Sequence, residues 1–294
     1  MFKILIWGIG EGYNRCVNLI KYYEATGEIT VVGVTSDDVD IYKHIDGYPF
    51  FSKRDVTSIV FDYCIVTIDN WRAILSEAEE LGIEKRKIIL ARVLSVPYFS
   101  FEKYIDFKEN GISIISSNCW GGLCYHYLAL EFQSPTINMY FSSSEFNRFI
   151  SNLDYYLLAQ LKYERTEYHS GLQHDFPVGK LDDISIFFLH YPNFECAEEA
   201  WERRKNRMVD NKLYISCTEI KDVAEEFCSL PIQNKYIFVP NEIKIIDDSV
   251  IRVHYNDCEG RNFGQYINRV ANGRSPIISP FLLCSNAQFR RTDH

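Results

Sequence analysis

Glycine is scarce in this chain. Only 15 of its 294 residues are glycine, below the roughly 7% of average usage. Few positions are therefore available for left-handed turns or for close approach of one backbone to another. Five of the fifteen nevertheless fall in two short loops: Gly8, Gly10 and Gly12, then Gly121 and Gly122. A basic surplus is missing as well. The net charge is −9 and the isoelectric point about 5.3, so a phosphodiester backbone is not an expected partner and no nucleic acid is assigned. No apolar run approaches the ~20 residues of a membrane span. The opening residues, Met1 to Gly8, are too short for a signal-peptide apolar region, and a cytoplasmic location is expected. The nine cysteines include no Cys-x-x-Cys pair. Their odd, scattered pattern points to reduced thiols, and no metal site is expected.

What is present is an ordinary globular composition, 47% hydrophobic and 24% charged. Aromatic residues reach 15%, suited to cores, to subunit contacts in a homo-oligomer and to sugar-binding surfaces. Short apolar runs at 2–7, 29–35, 62–68 and 87–91 alternate with helical patterns at 13–25 and 71–82. That alternation predicts parallel βαβ units and a Rossmann-like domain over 1–97, followed by a helical connector over 98–110. The alternation resumes over 111–294. Strands are expected at 112–116, 136–141, 184–191, 212–217 and 235–239, with helices at 123–132, 144–163, 195–208 and 219–229. Residues 164–183 read as polar and irregular, and 243–254 as a hairpin. The expected fold is α/β in two domains: an N-terminal parallel sheet and a C-terminal α/β domain with a mixed sheet.

The first glycine loop follows a strand and opens a helix, the context of a phosphate-binding turn. Its match to G-x-G-x-x-G is incomplete, because Tyr13 stands where the third glycine belongs and Gly12 comes one residue early. Glu11 also brings negative charge toward the phosphate position. Asp37 and Asp38, past the second strand, are placed to meet a ribose. Gly8, Gly10, Gly12 and Asp37 are thus candidate cofactor-binding residues. A turn that needs small residues only for packing is the competing explanation.

The second loop, Ser116 to Gly122, lies between an expected buried strand and a helix. Gly121 and Gly122 are candidates to offer backbone N–H groups to an anion or oxyanion. Cys119 stands near the helix N-terminus, where a thiolate is favoured. His126 follows seven residues later, and His190 closes the 184–191 run, so either is a candidate base for a Cys119 nucleophile. A buried structural cysteine and a satisfied helix histidine explain the same residues without chemistry. Asp183 is expected to serve as a turn or cap. His169 and His174 lack matching carboxylates for a metal.

The stretch SNCWGGLCYHYLALEFQSPTINMYF (117–141) resembles the signature of a bacterial family of exopolysaccharide biosynthesis proteins of unknown function. FNRFISNLDYYL (146–157), FPVGKLDDISIFFLHY (176–191) and AEEAWERRKNRM (197–208) resemble its later blocks, and VPYFSFEKYIDF (96–107) its lead-in. The N-terminal half is similar to small Rossmann-like domains attached to sugar-modifying enzymes. The resemblance implies a role in surface polysaccharide assembly, and some members are labelled acetyltransferases. It supplies no catalytic residues.

Three functions remain in competition. The first is a transferase moving an acyl group onto an activated sugar, with a nucleotide sugar or acyl-CoA as the bound group. The second is a non-catalytic nucleotide-sugar-binding or scaffold component. The third is a nicotinamide-dependent oxidoreductase, against which Tyr13 and Glu11 weigh.

Overall fold

The apolar run Phe2–Trp7 forms the first strand, β1, with Ile4, Leu5, Ile6 and Trp7 fully buried. A strand this apolar must be covered on both faces, as in parallel α/β sheets. The computed structural model describes residues 1–36, 43–255 and 262–289. It divides into two units, Met1–Glu109 and Asn110–His294. Both contain α-helices and β-strands.

In the first unit β1 is followed by α1 (Glu11–Ala25), β2 (Ile29–Ser36), β3 (His44–Ile45), β4 (Tyr48–Ser52), β5 (Tyr63–Val66), α2 (Trp71–Glu80), β6 (Ile88–Leu90) and α3 (Phe101–Glu109). The sheet order is β3-β4-β2-β1-β5-β6, parallel except for the β3/β4 hairpin. From β1 the chain steps outward to β2, then returns to the other side of β1 as β5. The point of reversal lies between β1 and β5, and the strand ends part there. Helix α1 is pressed hard onto this point. A Cβ on Gly12 would lie 1.7 Å from the Thr67 carbonyl oxygen. Gly8, at φ +113°, is fixed by its backbone and by Thr67 and Ile68 beside it. Gly10 by contrast faces open space. The chain after β6 stays with this unit, because Phe99 and Phe101 pack edge to face with Tyr23 of α1.

The second unit contains β7 (Ser113–Ser116), α4 (Trp120–Tyr127), α5 (Ser143–Ser151), α6 (Leu153–Leu158), β8 (Leu161–His169), β9 (His174–Leu181), β10 (Ile184–Phe187), α7 (Phe194–Lys205), β11 (Lys212–Cys217), α8 (Lys221–Ser229), β12 (Lys235–Pro240), β13 (Val250–Val253), α9 (Phe263–Ala271) and α10 (Pro280–Phe289). The two strand senses are partitioned between two sheets rather than mixed in one. One is parallel, in the order β13-β12-β11-β7, and the other is antiparallel, in the order β10-β9-β8. The core joins Phe146, Phe149 and Ile150 of α5 to Trp201 of α7, Phe227 of α8 and Ile184 and Ile186 of β10.

Several local expectations are corrected. Residues 136–141 form a loop with one bridge, Tyr140 to Phe187, because Asn138 turns left-handed at φ +61°. The expected helix over 144–163 breaks at Asn152 (φ −135°, ψ 46°) and gives way to β8. The polar 164–183 segment falls mostly in the β8/β9 hairpin. Its charged residues are those of an antiparallel strand with one face in water. In place of a 243–254 hairpin, only β13 forms, parallel to β12. At the start of β12, Lys235 is buried, and its ammonium donates to Phe227 O (2.8 Å), Cys228 O (2.6 Å) and Leu230 O (2.5 Å). The first two lie in the last turn of α8, where the regular i→i+4 partners run out; Phe227 O also accepts from Leu230 N at 3.3 Å. Burial holds the Lys235 pKa below its ordinary value.

The Gly12 contact has a measurable consequence. Gly12→Ala forces α1 off β5 and is expected to cost about 1–3 kcal/mol, the usual range for overpacking. Gly10→Ser, at a helix-capping position facing open space, should fall within about 0.5 kcal/mol of the parent. Urea denaturation of both variants checks this, and equal midpoints would refute the contact argument.

Candidate functional site

Helix α1 turns one face, Gly12, Arg15, Cys16 and Leu19, toward the ends of β5 and β6. These positions follow the i, i+3, i+4, i+7 spacing of a helix stripe. Opposite stand the strand ends Val66 to Asp69, Trp71 at the start of α2, and the 3-10 turn Ala91–Ser95. Together they enclose a cleft of about 370 Å3. It lies on the carboxyl side of the parallel strands, beside the reversal between β1 and β5, where α/β sheets hold ligands. Val66 and Leu90 are buried, and Trp71 is partly exposed. Arg15, Arg92 and Asp69 are the charged residues among the described ones that line it. Arg15 pairs with Asp69 at 2.6 Å, and this pair raises the arginine's pKa. Both side chains are largely in solvent, so the pair is weak and an incoming anion can displace Asp69.

The glycine loop does something other than cradle a phosphate with three glycines. Gly8 and Gly12 are required by packing, as described above. Tyr13 is buried, and its hydroxyl donates to Asp46 Oδ2 at 2.8 Å. Burial and that carboxylate raise the phenol's pKa. Asp37 lies outside the described residues.

In the second unit the Ser116–Gly122 loop leaves the carboxyl end of β7 and enters α4. Its polar groups satisfy one another. Ser116 Oγ donates to Asn118 O (2.7 Å) and accepts from Gly121 N (2.9 Å), while Asn118 Oδ1 accepts from Trp120 N (3.0 Å). Asn118 Nδ2 donates to Cys217 Sγ at 3.3 Å. Two of the N–H donors at the start of α4 are thus engaged inside the loop, and the Gly121 N–H is one of them. Both glycines sit at close approaches. A Cβ at 121 would meet Ser116 Oγ at 2.8 Å and Ile114 O at 3.0 Å, and one at 122 would meet Ile137 Cγ2 at 3.2 Å.

Cys119 precedes α4 as its N-cap residue, but burial pushes its thiol up to about 11. The helix dipole favours a thiolate there; desolvation opposes it, and desolvation wins. Cys217 is pushed further, to about 12, by the same cause. His126 is exposed in the last turn of α4. At 1.5 Å per residue, seven residues carry it roughly 10 Å from Cys119 along the axis, beyond direct proton transfer. His190 hangs from the loop that Cys119 also touches: its N–H donates to Asn138 O (3.4 Å), and the Cys119 thiol lies 4.0 Å from Met139 O. Desolvation first, and then His174 and His169, lower the His190 pKa. Asp183 accepts from Tyr156 and pairs with Arg148, which ties α5 and α6 to the turn before β10.

The sequence reading picked out none of Arg15, Trp71, Arg92 and Ser95. The helical pattern over 13–25 places Arg15 on α1, but which face meets the cleft depends on β5 and β6 lying opposite. Among the described residues, no cluster of His, Cys, Asp or Glu could hold a metal ion. No described helix is long and apolar enough to cross a membrane.

Residues 91–274 match the family model described as Domain of unknown function (DUF1919), and residues 1–89 match one described as C2185-like, N-terminal. A protein of Haemophilus influenzae named only "Uncharacterized protein" is 39% identical over 134 residues. The match takes in 44% of this chain, which spans about three fifths (62%) of that relative's length.

The thiol chemistry is open to direct measurement. At pH 8, iodoacetamide should modify the exposed Cys196 well before Cys119, by at least tenfold in rate. Peptide mapping by mass spectrometry reads both sites. Equal rates would mean that Cys119 carries a thiolate despite its burial.

Proposed function

The chain belongs to the DUF1919 family, and we propose that it is a binding component that holds a phosphate-bearing activated sugar for surface polysaccharide assembly. One observation carries this reading: the 370 Å3 cleft beside the strand reversal of the first unit, with Arg15 and Arg92 at its rim and Trp71 in its wall. The guanidinium fork suits phosphate oxygens in paired hydrogen bonds. The indole offers a flat face to a base or sugar ring. The volume falls within the range of small-molecule sites. The polysaccharide context comes from the resemblance of 96–107, 117–141, 146–157, 176–191 and 197–208 to exopolysaccharide biosynthesis proteins.

Acyl transfer through Cys119 ranks second. It is supported by the place of Cys119 at the start of α4 on the carboxyl side of a parallel sheet. It is opposed by a thiol pushed to about 11 and by the helix length between Cys119 and His126. A nicotinamide cofactor ranks third, since Tyr13 is spent on Asp46 and on packing.

Calorimetry on the intact chain separates these readings. UDP-glucose should bind, and Arg92→Glu should weaken it at least tenfold by replacing an attraction with a repulsion. Acetyl-CoA or NAD binding in place of UDP-glucose would move the assignment to the second or third reading. No binding of any of the three would sink the proposal.

A further inference from the structure

A second concavity, of about 420 Å3, lies entirely within the second unit, between the β8/β9 hairpin and the start of α7. Three aromatic rings line it. Phe176 is buried at 3% exposure and forms an apolar floor, whereas Tyr163 is 54% exposed. Tyr163 and Phe194 meet edge to face, with centroids 5.7 Å apart and planes at 72°. Two ring faces are therefore presented in different directions around one space. The Tyr163 hydroxyl is tied to Thr166 Oγ1 at 2.9 Å, which fixes that ring.

The charge of the groove is one-sided. Asp175 and Glu195 line it, and no lysine or arginine among the described residues does. Neither carboxylate has an ion-pair partner among the described residues, although Glu195 stands in the first turn of α7, whose N-terminus offsets part of its charge. Most of the chain's other exposed acids near this sheet are matched: Glu164 and Glu167 both contact Arg165, and Asp183 pairs with Arg148. The two carboxylates give the groove a negative potential, to which the ring faces add the negative lobe of their quadrupoles. A neutral ring compound would gain stacking but leave both carboxylates uncompensated. A cation gains from the rings and the carboxylates together.

We propose that this groove binds an organic ammonium ion, seated against Tyr163 and Phe194 with Asp175 and Glu195 as counter-charges. Such a group occurs on quaternary ammonium alcohols and on protonated amino sugars. This site is independent of the first-unit cleft, and its test does not rely on nucleotide-sugar binding.

The experiment is calorimetry on the intact chain with choline, its neutral carbon isostere dimethylbutanol, glucosamine and glucose. Choline or glucosamine should bind at least tenfold more tightly than its uncharged counterpart. Tighter choline binding assigns the quaternary ammonium source, and tighter glucosamine binding the amino sugar. The double variant Asp175→Asn, Glu195→Gln and the single variant Tyr163→Ala should each weaken the better ligand at least tenfold. These three side chains are exposed, and an unchanged melting temperature verifies that the variants fold. Binding of neither cation, equal binding of charged and neutral partners, or indifference to the carboxylate substitutions would each overturn the proposal.

Discussion

Helix α1 can lie against the end of β5 only because residue 12 has no side chain. The Thr67 carbonyl occupies the space a methyl group would need. Much of the first unit follows from that contact. It draws α1 across the strand reversal, brings Arg15 and Cys16 over the ends of β5 and β6, and leaves Gly10 facing open space. Thr67 completes the junction by donating through Oγ1 to Trp7 O and Gly8 O. One glycine thus determines both the packing of a helix and the position of a cleft wall.

The second unit uses the same device with a different result. Gly121 lets α4 approach Ile114 and Ser116 of β7. Here the described strands run in one direction, β7, β11, β12, β13, with no reversal among them. Neighbouring loops therefore do not part above that sheet as they do beside β1. Its loop is filled by its own hydrogen bonds through Ser116 and Asn118. Two loops that look alike in sequence, each a strand followed by glycines and a helix, differ because of strand order.

Periodicity revealed β1, β2, β5 and β6 with helices α1 and α2, since buried parallel strands are unbroken apolar runs and their helices carry clear stripes; the short, partly exposed β3 and β4 gave no such run. The antiparallel sheet was harder to read. Leu161 continues the apolar spacing of α5 and α6, so a helical pattern ran into β8 without a visible break; the interruption at Asn152 is a backbone event. The glycine positions were legible, but not their purpose. A phosphate loop and a tight helix–strand contact make the same demand for a missing side chain, and only the Thr67 carbonyl distinguishes them. Cys119 was legible as a helix-start cysteine. Its desolvation was not, because burial depends on residues such as Met139 and Tyr191, brought close only by folding. Arg15 and Arg92 are far apart in sequence and share a cleft only because the fold brings α1 to the strand ends.

Lys235 gives the end of α8 an unusual companion. Its ammonium takes three carbonyl oxygens at 2.5 to 2.8 Å, an arrangement like that of a dehydrated potassium or ammonium ion in a carbonyl nest. The difference is that this ion is covalently attached. It cannot be diluted away, exchanged for sodium or removed by dialysis. The helix terminus therefore carries its own permanent counter-ion, and this junction between α8 and β12 should be insensitive to the monovalent salt around it.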